Sequence, residues 1–148
     1  MDYTESPEAE AIAKDIIANL PLVSAINEAK IKYLFTLKKH SDFAGRIQKP
    51  GRVWKFLSDY DYIVLIHKET WDAFNETQRR ALIYHELNHI TYRIDKEGNK
   101  QWKLRKHDIE EFLDVVREFG AWTTELNQLK EITDETSTQS GLSGSERT

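Results

Sequence analysis

The sequence predicts an α+β fold, with a small, mostly antiparallel sheet packed against a metal-bearing helix and a C-terminal helix. Three observations predict it. From Ala29 to Lys38, Ile31, Tyr33, Phe35 and Leu37 alternate with Lys32, Leu34, Thr36 and Lys38, the period-two pattern of a half-buried strand with Leu34 as its one apolar exception. Asp61 to His67 is the most apolar run and reads as a strand inside the sheet or against the helix layer. From Glu76 to Lys96 no Gly or Pro intervenes, and Ile83, Leu87, Ile90 and Ile94 fall on one helical stripe.

The elements follow in order. Residues 1–7 are expected to fray. A first helix is expected from Pro7 to Leu20, because Ala11, Ile12, Ile16 and Leu20 hold helical spacing and Pro21 ends it. After the alternating strand, Lys39-His40-Ser41-Asp42 makes a turn and Phe43 to Lys49 a second short strand. Pro50-Gly51 is a strong breaker. Trp71 to Phe74 leads from the apolar strand to the helix at Glu76, whose start is marked by Asn75 and Gln78 in capping-box spacing. Asp95 to Lys106 reads as a polar, basic connection. A last helix is expected from about Asp108 to Leu126, with Ile109, Phe112, Leu113, Val116 and Phe119 on its core face. Residues 127–148, rich in Thr, Ser, Gly and acids, read as a disordered tail, which leaves 1–126 as the domain.

Composition narrows the chemistry. The 148 residues suffice for one domain with a modest core, and 39% hydrophobic with 31% charged residues suits a soluble protein. There is no cysteine, so disulfides and thiolate metal sites are excluded and any ligands must be nitrogen or oxygen. No apolar run approaches the roughly 20 residues that span a bilayer. Met1-Asp2-Tyr3-Thr4-Glu5 is acidic where a secretory signal would be basic, so the expected location is the cytoplasm. Charge is uneven. Residues 30–55 hold eight Lys and Arg against one acid, interleaved with Tyr33, Phe35, Phe43 and Trp54. These cations are either the solvated face of half-buried strands or a footprint for nucleic acid or an acidic partner.

The segment that carries chemistry is His85-Glu86-x-x-His89. On a helix, two histidines four apart share a face and can bind one metal ion, while the intervening Glu86 stands beside it as a general base for water. The ordinary alternative is a helix with two unrelated histidines. A catalytic zinc uses three protein ligands, so a third is expected downstream. His107 precedes the expected last helix, where Asp108 and Glu111 have capping-box spacing, and from there its imidazole could swing toward a metal. Glu110 and Glu111 are the competing ligands. His40, in a turn, and His67, ending a strand, read as non-ligands.

These residues resemble a known group. Asp61-Tyr62-Ile63-Val64-Leu65-Ile66, Trp71-Asp72, Gln78 to His89 and His107-Asp108-Ile109-Glu110-Glu111-Phe112 are similar to the putative phage metallopeptidase family, over roughly residues 30 to 120. The resemblance implies a minimal zincin-like fold, zinc and peptidase activity, and the host cytoplasm if the protein is phage-encoded. The expected reaction is hydrolysis of a peptide or protein substrate, with zinc on His85, His89 and His107 and Glu86 as general base. Tyr62, Tyr84 and Tyr92 are candidates for stabilising the oxyanion. Two other readings stand beside it: a nucleic-acid-associated peptidase acting on DNA-bound proteins, and a non-enzymatic phage interaction protein that keeps zinc for stability. Intact Glu86 speaks against the second.

Overall fold

The computed structural model describes residues 2–107 and 131–132. Met1–Lys106 form one compact unit. Its strands are β1 (Tyr3–Glu5), β2 (Ile31–Thr36), β3 (Gly45–Gln48), β4 (Tyr62–His67), β5 (Ile90–Ile94) and β6 (Lys100–Leu104). The helices are α1 (Pro7–Asn19), α2 (Arg52–Ser58), α3 (Lys68–Ala73) and α4 (Glu76–Leu87), with a 3-10 turn at Ile26–Glu28. This is a mixed α+β arrangement.

The apolar run at 62–67 occupies the interior of the main sheet, whose strand order is β1-β2-β4-β3. It pairs in parallel with β2, placing Tyr33 opposite Val64 and Phe35 opposite Ile66, and antiparallel with β3, placing Ile47 opposite Val64. Alternation sends Tyr62, Val64 and Ile66 to one side, where all three are fully buried, and leaves Ile63 and Leu65 half-buried on the other. Three of the four strand pairings are antiparallel, as expected, but the central one is parallel.

Helices α1 and α4 pack on each other, α1 against β2 and α4 against β3. Ser6 caps α1 by accepting from the Ala9 N–H, Pro7 stands in its first turn, and Glu8 and Glu10 favour the positive end of the helix dipole. Ala9, Ala13 and Ile16 form its buried face, while Ala11, expected inside, is exposed. The capping box of α4 is complete: Asn75 Oδ1 accepts from Gln78 N at 2.8 Å and Gln78 Oε1 from Asn75 N at 2.9 Å. Such a cap stabilises by about 1 kcal/mol. Gly45 lies where β3 comes closest to α4, since a Cβ there would meet Leu82 at 3.0 Å.

Several expectations are corrected. Residues 3–5 are not frayed but form β1, antiparallel to β2, with Glu5 and Lys32 paired across the strands. Residues 52–58, assigned to no element from sequence, form α2. The helix expected to bear the metal stops at Leu87 rather than carrying its apolar stripe on to Ile94, and Ile90 and Ile94 belong to β5. The "connection" of 95–106 contains β6, which pairs with β5 and sets Tyr92 opposite Trp102. The physical reason is tertiary. Thr91, Tyr92 and Ile94 favour strands, and the Tyr62 hydroxyl, donating toward the carbonyls of Thr91 (3.2 Å) and Lys103 (2.5 Å), holds both ribbon strands. Of the aromatics interleaved with the basic stretch, Tyr33 and Phe35 are core residues, whereas Trp54 is 67% exposed. The expected last helix and the boundary at 126 lie outside the described residues, as does the tail expected at 127–148 apart from residues 131–132, which are helical.

Candidate metal centre

The last turn of α4 separates its residues by environment. Glu86 and Leu87 turn inward with Ile83, while His85 stands on the exposed side, with side-chain exposures of 51% for His85 and 6% for Glu86. His89 is not on the helix, as the sequence pattern had suggested, but in the turn that follows. Asn88 keeps right-handed helical dihedrals (φ −69°, ψ −15°), and His89 N–H bonds to Glu86 O at 3.1 Å, so the tightened turn still carries His89 beneath His85. Their ring centroids are 5.3 Å apart.

The ribbon supplies the next part. Arg105, directly after β6, donates its backbone N–H to His89 O at 2.7 Å and its Nε–H to Asn88 O at 2.6 Å. The Arg105 carbonyl lies 2.6 Å from His89 Nδ1. With the proton on Nδ1 the ring is held as a donor to that carbonyl, and Nε2 keeps its lone pair for a metal. This is the support that metal-bound histidines commonly have. Two residues on, His107 completes a group: His85, His89 and His107 each offer a ring nitrogen, and these atoms lie within 4.8 Å of one another. Three imidazoles so placed could hold one metal ion. Glu110 and Glu111, the competing ligands, lie outside the described residues.

Glu86 lies beside this group, with Oε2 3.9 Å from His85 Nε2. Burial pushes its carboxyl above the usual carboxylate range, while His89 and the Ile47 backbone N–H pull it partly back. The other histidines are apart from the group. His67 is buried with Nδ1 on Thr70 Oγ1 (2.7 Å) and Nε2 on the Lys38 carbonyl (2.9 Å), a fully satisfied structural residue. His40 lies exposed in a loop. The tyrosines expected near an oxyanion are engaged elsewhere. Tyr62 and Tyr84 spend their hydroxyl protons on backbone carbonyls, the latter on Pro21 O at 2.8 Å, and Tyr92 pairs with Ser24 at 2.9 Å. Arg105 was missed from sequence because it acts mainly through its backbone, within a stretch read as a connection. Its only sequence signal is its place two residues before His107.

Fold and site together define a class: a small α+β protein with convergent imidazoles and a buried carboxylate beside them. The chain belongs to the putative phage metallopeptidase family, whose model matches residues 1–133. No curated protein and no solved structure matches it. Among the described residues, no helix is long and apolar enough to cross a membrane.

Proposed function

We propose that this protein is a zinc-dependent peptidase on a minimal zincin-like fold, in which His85, His89 and His107 hold the ion and Glu86 is the general base. The observation that carries this reading is the convergence of three imidazole nitrogens within 4.8 Å of one another. The donor set fits zinc, which accepts three imidazoles in catalytic sites, and the chain has no thiolate to compete. When bound, zinc supplies a Lewis acid that polarises a scissile carbonyl and makes water more acidic.

The chain's own residues do the rest. His89, tied to Arg105, and His85, on the last turn of α4, preset two ligand positions. The Glu86 carboxylate takes a proton from the attacking water and hands it to the leaving amine nitrogen. Its raised affinity for protons suits that shuttle, because it brings the group nearer the pH at which the enzyme works. Strand β3 is an edge of the main sheet and packs on α4, so an extended peptide can add to it as a further strand. This makes a peptide or protein the expected substrate.

The test combines metal analysis with a peptide-library cleavage assay on wild type and Glu86→Gln. The expected result is one zinc per chain in both proteins and a loss of cleavage in the variant of about 10²–10⁴-fold. Equal cleavage by the two would remove Glu86 as the base, and no cleavage by either would favour the non-enzymatic interaction protein.

A further inference from the structure

Helix α2 is the anomaly of the fold. It buries none of its residues, yet Val53, Trp54, Phe56 and Leu57 are 67–87% exposed. The core gives no reason for aromatic residues here. To one side of α2 is a pocket of about 250 Å³ whose wall carries Lys49, Arg52, Lys55 and Lys100. The single acid in it, Asp61, is already neutralised by Lys55 Nζ at 2.8 Å and accepts the Lys30 backbone N–H at 2.8 Å. To the other side is an apolar groove of about 390 Å³ on the outer sheet face, lined by Trp54 with Leu34, Ile63 and Leu65 and edged by Gln48. Lys49 and Pro50 line both, so the cationic pocket and the aromatic groove adjoin each other.

We propose that this surface, distinct from the three histidines, binds single-stranded nucleic acid, with a backbone phosphate in the Lys49–Arg52–Lys55–Lys100 pocket and a base against Trp54. The alternation of the two hollows matches that of a strand, which presents phosphates and flat bases in turn. Stacking is tolerant of sequence because every base has a π-face, and the cations follow the backbone. Lys55 and Lys100 are half-buried while Lys49 and Arg52 are exposed, and a strand that threads a hollow reaches half-buried cations better than a bilayer, whose headgroups form a plane that meets protruding side chains first. The ion pair of Lys100 with Glu28 is partly exposed and worth little, so a phosphate can compete for that lysine, while Lys55 stays with Asp61.

The experiment measures fluorescence anisotropy of a labelled oligothymidine of about 16 nucleotides with the full chain, over a series of salt concentrations. Neutralisation of the phosphate in the pocket predicts a log–log salt slope of about −0.7, steeper where neighbouring phosphates reach the exposed cations, and Arg52→Glu should weaken binding and flatten that slope. Trp54→Ala should weaken binding at least about five-fold at fixed salt, with Trp54→Phe keeping most of it. Both positions are exposed, and unchanged melting temperatures will show that the variants fold. If Lys49→Glu destabilises the chain through its bond to the Trp102 carbonyl (2.6 Å), Arg52→Glu still decides the matter. Absence of binding at low salt overturns the proposal, as does binding that ignores both Arg52→Glu and Trp54→Ala. Capture by phosphatidylserine vesicles without any by the oligonucleotide overturns it too, and would make α2 a membrane-surface element.

Discussion

Glu86 follows His85 directly, yet the helix places one side chain in water and the other in the core. Each residue of a helix advances by about 100°, so neighbours in sequence face different media. That rotation lets one short motif supply both a solvent-accessible ligand candidate and a desolvated carboxylate. The same segment was legible in the sequence as a candidate because its spacing singles it out: four residues between the histidines, with the glutamate next to the first. His107 was legible less directly, from its place before an expected helix. The support from Arg105 was not legible, since a backbone carbonyl has no residue-type signature. If His107 is the third ligand, His107→Ala should lose most bound zinc, while Glu110→Ala and Glu111→Ala keep it. Retention by His107→Ala with loss in either glutamate variant, read by metal analysis after dialysis, would reverse the assignment.

At the scale of elements, α4 and the β5–β6 ribbon contrast. The start of α4 could be read to the residue because capping is local, and Asn75 and Gln78 need only each other. Its end could not. Ile90 and Ile94 continue the helical stripe as well as they fit a strand, and only the ribbon partner and the Tyr62 hydroxyl decide between them. The ribbon turn shows the same dependence. Asp95 accepts backbone N–H bonds from Asn99 and Glu97, with Gly98 at φ +83° closing the turn. The Asn99 N–H, then Gln101, hold the Asp95 carboxyl below its usual range. A group depressed in the folded state stabilises above its ordinary pKa and loses that contribution as pH falls through the lowered value. Amide exchange at Glu97, Gly98 and Asn99 should therefore quicken as pH drops below about 4, after correction for intrinsic rates. Asp95→Asn should abolish most of that dependence.

For the whole molecule, the proposed metal would be linked to the fold. An ion that binds only the folded chain stabilises it by about 2.7 kcal/mol at a hundred times its dissociation constant. If the chain carries zinc as proposed, removing it with a chelator should lower the melting temperature by about 5–10 °C, measured by scanning fluorimetry. No shift in a protein shown to carry zinc would mean that the ion contributes nothing to the fold. The α+β character and the interior apolar strand were legible because they rest on hydrophobic pattern. The strand order was not, since periodicity does not say which strands are neighbours. That order, β1-β2-β4-β3, bears on how the chain emerges from the ribosome. Strands β2 and β3 both need β4, so until Tyr62–His67 leaves the exit tunnel neither has its central partner and the sheet stays open. His107 follows 40 residues after His67, about two to eight seconds later at about 5–20 residues per second. A nascent chain therefore has time to close its sheet before the third histidine appears, and a cation captured during translation would meet a framework already assembled.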